Sequence, residues 1–134
     1  METYQLSNEN IDMISEEIEK VYRENGCSNK DTVRAKLILE EALLKYQSLF
    51  GDDLQVTFRT FRVLSQVRFC VRIRALSFDP FTVEENPMAF MIESLLSGYE
   101  GTMPTWQYKN LANELVFTVR RQKKFGGLTA VILA

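Results

Sequence analysis

The chain has 134 residues, 46% of them apolar and 25% charged, with a formal charge of −2. This is one domain's worth of sequence with enough apolar material for a real core, and the wrong balance for a globally basic nucleic-acid binder. Histidine is absent, which excludes within these residues every Ser-His or Cys-His mechanism, every histidine-containing metal site and any phosphohistidine acceptor.

The polar, acidic stretch from Met1 to Asn10 is the opposite of a targeting peptide. Behind it, Ile11, Ile14, Ile18 and Val21 recur at three- and four-residue spacing, with Glu16, Glu17, Glu19 and Lys20 on the other side. The spacing predicts an amphipathic helix that starts at Ser7 or Asn8 and stops at Asn25-Gly26. A second cap, Ser28 or Asn29, opens a longer helical pattern through Val33, Leu37, Glu40, Glu41, Leu44 and Tyr46, ending near Phe50-Gly51.

Alternation then replaces the helical period. Leu54, Val56 and Phe58 alternate with Gln55, Thr57 and Arg59, and Val67, Phe69, Val71, Ile73 and Ala75 alternate with Arg68, Cys70, Arg72 and Arg74. Leu115, Phe117 and Val119 repeat the pattern later, and between these strands Asn86 to Ser97 has helical character. Period two with one polar face means a sheet covered on one side. The expected fold is therefore α+β, a two-layer sandwich with helices on one face of a mixed, mostly antiparallel sheet.

Charge is distributed in blocks along these elements: −6 over residues 1–53, +4 over 54–82, −4 over 83–114 and +4 over 115–134. The organisation is read as a single domain over 1–124 and an apolar tail over 125–134, where Leu128 to Ala134 follows Arg120, Arg121, Lys123 and Lys124. The tail reads as a final strand, or as the beginning of a truncated membrane span with its basic cytoplasmic flank. A span requires about 20 apolar residues, so these few cannot cross a bilayer themselves. Cys27 and Cys70 occur in unlike contexts, and no secretory leader is expected ahead of them. Both are expected to be free thiols in a cytoplasmic protein, and a zinc site would require at least two more soft ligands.

The string Lys36-Leu37-Ile38-Leu39-Glu40-Glu41-Ala42-Leu43-Leu44-Lys45 resembles the N-box helix of the GHKL superfamily, the ATPase fold of histidine kinases and anti-sigma-factor kinases. Asn113 to Val119 looks like that family's final strand, and Ser77-Phe78-Asp79-Pro80-Phe81 is similar to the loop after its central strand. The resemblance spans roughly residues 7–121 and implies an ATP site, yet the residues depart from it in three places. Four positions after Glu41, where the family has an Mg²⁺-binding asparagine, stands Lys45; an ammonium has no lone pair for a cation. Asp79 corresponds to the adenine-binding aspartate, but Pro80, Phe81 and Thr82 follow it in place of the glycines that let backbone approach a ligand. The second glycine box aligns with Pro87 to Ile92, where Pro87 lacks an N–H and Ala89 adds a Cβ. What the resemblance implies is a degenerate nucleotide site at Glu41, Lys45, Asp79, Pro87 and Ala89, without ATP, metal or other cofactor.

Other residues that could carry chemistry read as structural. Glu40 and Glu41 are adjacent on a helix and point about 100° apart, so they cannot share a proton as an acid–base pair would. Met88, Phe90, Met91, Tyr99, Trp106 and Tyr108 read as core, or as side chains filling a vacated pocket. Arg68, Arg72 and Arg74 share a strand face, with Arg59 beside them on the neighbouring strand. They form either a solubilising outer face or an interaction patch for an acidic partner, which includes a second copy of this chain through its acidic helices. The expected function is a non-catalytic, nucleotide-free regulatory or protein-interaction domain in the cytoplasm. It fits the N-terminal part of a membrane solute symporter, such as one for dicarboxylates, tethered to the inner face of the membrane, with no nucleic-acid partner. The alternative is an ATP-binding anti-sigma-factor-like serine kinase or ATPase.

Overall fold

In a computed structural model, which describes residues 2–82 and 104–120 and the backbone of 122–125 and 128–131, two serines begin the two helices. Ser7 is extended and its hydroxyl accepts the Asn10 amide at 3.3 Å, so α1 runs Asn8–Glu24. Ser28 does the same for the Asp31 amide at 3.1 Å, and α2 runs Asn29–Phe50. Each hydroxyl satisfies one of the donors that a helix start leaves over, typically worth about 1 kcal/mol. Gly51 closes α2 with φ +97°, its amide donating to the Gln47 carbonyl at 2.8 Å. A Cβ there would adopt a strained left-handed backbone and meet Asp53 Oδ1 at 3.2 Å, which is why the stop is glycine.

The sheet begins with a two-residue strand that the alternation does not reveal, β1 (Tyr4–Gln5), paired with β2 (Gln55–Val63). β2 pairs with β3 (Gln66–Arg74) from Gln55 opposite Arg74 to Val63 opposite Gln66. A further strand absent from the sequence reading, β4 (Thr105–Lys109), turns through Asn110 and Leu111 into β5 (Ala112–Arg120), which lies against β3. The order is β1-β2-β3-β5-β4, antiparallel at every described pairing. Asn110 and Leu111 both have positive φ (+53° and +62°), the backbone of a tight hairpin whose twist matches its strands. Leu111 and Leu64, at φ +56° in the β2–β3 turn, adopt that geometry without glycine's freedom.

Both helices cover one face of the sheet, giving the expected α+β arrangement. Ile11, Ile14 and Ile18 of α1 and Ile38, Leu39 and Leu43 of α2 pack in one core with Val56, Phe69, Val71, Ile73, Leu115 and Phe117. Of the residues in the helical pattern, Tyr46 is buried but Val33 and Leu37 are exposed, and the buried side of α2 is Ala35, Ile38, Leu39, Ala42, Leu43 and Tyr46. Apolar residues lie outside the buried side as well, Val33, Leu37 and Leu49 being exposed, and Ala35 and Ala42 are the small residues on the buried side. Trp106 packs against the core as expected, but Tyr108 is exposed because β4 is the end strand of the sheet order and Tyr108 lies in its last turnward residues.

Two further strands, β6 (Gln122–Phe125) and β7 (Leu128–Val131), form an antiparallel pair separate from the main sheet. Phe125 thus belongs to the same strand as Lys123 and Lys124, and the boundary drawn after residue 124 falls within β6. No helix among the described residues is long and apolar enough to cross a membrane. The helix expected over Asn86 to Ser97, with Pro87 and Ala89, lies outside the described residues.

Candidate functional site

The loop after β3 is built around Asn113, a fully buried polar residue. It stands on β5 at the parity of the core residues Leu115, Phe117 and Val119. Its Oδ1 accepts the Phe78 amide at 2.9 Å and Trp106 Nε1 at 3.1 Å. Its Nδ2 faces the carbonyls of Ile73 and Ala75 at 3.4 Å and of Leu76 at 3.1 Å. One amide therefore serves a chain reversal that no regular ladder could satisfy.

Phe78 is in turn held by α2. Tyr46 donates its hydroxyl to the Phe78 carbonyl and packs edge-on against the Phe78 ring, with centroids 5.6 Å apart at 90°. Phe50 makes a second edge contact at 6.4 Å. Lys45, only 1% exposed, places Nζ 5.1 Å from the centroid of the same ring. Nζ has no hydrogen-bond partner among the described residues. Burying an ammonium costs several kcal/mol, of which a desolvated cation–π contact recovers about 2. Phe81, further along the loop, packs edge-on against Phe117.

The sequence-predicted nucleotide residues therefore occupy unlike environments. Glu41 lies one helical turn before Lys45, and burial, followed by the charge of Glu40, pushes its carboxyl above the ordinary value of 4.5. Asp79 spends Oδ1 on the amide of Phe81 at 2.9 Å, a local turn that leaves one oxygen for other partners. Burial raises the Tyr46 phenol, with the Asp79 charge adding to the effect. Lys45 and the loop carrying Asp79 are brought together; Pro87 and Ala89 are outside the described residues. Asn113 and Tyr46 organise this region, and the signal for Asn113 was its parity: a polar residue in a core-facing register. No group of three or more Cys, Asp or Glu among the described residues is placed to hold a metal ion.

The opposite face of the sheet carries the arginines. Thr57 pairs with Arg72, Arg59 with Cys70 and Phe61 with Arg68, so Arg59, Arg68, Arg72 and Arg74 all rise from the face that the helices leave uncovered. They are not equivalent. Arg59 lies over the Phe61 ring at 4.8 Å and Arg68 donates to Gln66 Oε1 at 3.3 Å. Arg72 Nε lies 3.4 Å from Glu114 Oε2, and Nη2 donates to the Lys109 carbonyl at 3.2 Å. Arg74 is exposed. A hollow of about 370 Å³ opens beside Arg72 and Arg74, and a smaller one of about 150 Å³ lies between Arg59, Cys70 and Glu114; Thr57 and Arg72 border both. Cys70 is buried here, its thiol raised chiefly by that burial.

The chain matches no known protein family and no curated protein sequence.

Proposed function

We propose that this domain is a nucleotide-free regulatory or protein-interaction module with a GHKL-like arrangement, and that it acts by binding and not by catalysis. The observation that carries this reading is the contact between Lys45 and Phe78. At the helix position where a GHKL relative would present a metal-binding oxygen, the chain has an ammonium, and that ammonium is covered by an aromatic ring from the loop that would otherwise receive adenine. Phe78 and Phe81 anchor this loop by their rings where glycines would keep it open. Glu41 has no histidine to work with and no metal cluster beside it among the described residues, and a lone carboxylate supplies only part of a phosphoryl-transfer site.

Isothermal titration of the full chain with ATP and Mg²⁺ tests the reading. The expected result is no binding that depends on Glu41 or Asp79. Micromolar binding that disappears in Glu41→Gln or Asp79→Asn would overturn it in favour of an anti-sigma-type kinase or ATPase.

A further inference from the structure

The larger hollow on the uncovered sheet face has a one-sided chemistry. Arg72 and Arg74 occupy alternate positions on β3, so their stems leave the same face about 7 Å apart. Gln55 and Thr57 oppose them from β2, Asn110 reaches in from the β4–β5 turn, and Thr3 approaches from the residue before β1. Ala112, itself only 1% exposed, borders the hollow with a single methyl, a short side chain among long ones. The lining thus combines two guanidiniums with neutral hydroxyl and amide groups and contains no carboxylate. The smaller hollow differs in this respect, since Glu114 lies in its wall.

Arg72 is held in place before any ligand arrives. Glu114 lies at ion-pair distance from Nε and the Lys109 carbonyl accepts from Nη2, while the Nε hydrogen itself has no acceptor among the described residues; a guanidinium has five N–H groups to offer. Fixing one cation while its neighbour Arg74 stays exposed lowers the ordering cost of gripping an anion between them. The volume is at the small-ligand end of the usual range for binding pockets.

We propose that this hollow binds a small oxyanion, a ligand carrying phosphate or carboxylate groups, with Arg72 and Arg74 as its charged contacts and Thr57 and Asn110 as neutral ones. The site lies on the face opposite Lys45 and Phe78, and the inference holds whether or not nucleotide binds there.

The test is a titration of the isotopically labelled full chain, followed by amide and arginine side-chain resonances at constant ionic strength in chloride. Pyrophosphate and citrate are added in separate arms. The expected result is saturable shifts at Thr57, Arg74 and Asn110 with a midpoint of about 1 mM or below. Arg74→Gln should weaken the binding about tenfold, the loss of one charge-assisted contact. Ala112→Leu, which fills the hollow without changing charge, should weaken it as well. Arg62→Gln, at an exposed position of the other strand parity, and Glu41→Gln should leave it unchanged. Response to pyrophosphate alone identifies a phosphoryl ligand, response to citrate alone a carboxylate, and response to both the shared chemistry; each supports the site. Shifts that fail to saturate in both arms, or that persist equally in Arg74→Gln and Ala112→Leu, would overturn it.

Discussion

Asn113 Oδ1 accepts the amide of Phe78 at 2.9 Å across 35 positions of sequence, and so ties the loop after β3 to the strand that returns beside it. The same oxygen takes the Trp106 indole, and the amide nitrogen faces three carbonyls. Asn113→Leu would leave these donors and acceptors without their partner at a fully buried position. It should destabilise the fold by about 3 kcal/mol, measured as the shift in a urea transition followed by circular dichroism. Asn113→Asp should also destabilise, because it keeps the acceptor but removes the donor and buries a charge.

Lys45 offers the opposite case. Its ammonium is buried against Phe78 without an acceptor among the described residues. Lys45→Met keeps the length of the side chain and its contact with the ring while removing the desolvated charge. We expect it to be neutral or stabilising by about 1 kcal/mol in the same urea experiment. Lys45→Ala, which leaves a void beside Phe78, should instead cost about 2 kcal/mol.

Glu41 sets a pH dependence whose sign is fixed by its environment. Burial and Glu40 raise its native titration above 4.5, so the folded chain holds this proton more tightly than the unfolded chain does. Its contribution to stability is full below that value and is lost as pH rises through the native titration. Glu41→Gln should therefore be more stable than the parent at pH 7, with the difference closing in acid. Denaturation midpoints measured at several pH values will show the convergence.

Burial pushes the Cys27 thiol up to about 11, with Asp31 adding to the effect. Only the thiolate is a competent nucleophile, so Cys27 should alkylate slowly with iodoacetamide at pH 7–8 and accelerate as pH approaches that value. Cys70, buried on the arginine face and also raised, should be slower still at neutral pH. Mass spectrometry of the labelled peptides distinguishes the two.

The orientation of α2 has its own test. Ile38 is fully buried and Leu37 is 37% exposed. Ile38→Ala should cost about 3 kcal/mol and Leu37→Gln less than about 1 kcal/mol. Equal costs would mean that the helix presents its other side to the sheet.

Much of the architecture is legible because local signals agree with one another. Ser7 and Ser28 start their helices, Gly51 ends one, and the alternation through β3 places Arg68, Arg72 and Arg74 on one side and Phe69, Val71 and Ile73 on the other. The rest is less so for physical reasons. β1 is too short to show a period, and β4 is an end strand whose exposed Gln107, Tyr108 and Lys109 carry no apolar alternation. α2 carries Val33, Leu37 and Leu49 outside its buried side, so its apolar period alone does not choose a face. Lys45 stands out in the sequence only as a residue that cannot ligate a metal; its burial, rare for a lysine, shows once the fold brings Phe78 over it. The hollow beside Arg72 depends on the register of three strands and on a turn, none of which a linear pattern contains.

The chain has one tryptophan, and its indole N–H is bonded to the residue that secures the Phe78 loop. Trp106 is therefore a built-in optical gauge: its emission wavelength should move with any event that loosens that loop, and stay constant when a ligand settles on the far side of the sheet without disturbing it. A single fluorophore, excited without labelling, can thus assign a binding event to one face of the molecule or the other.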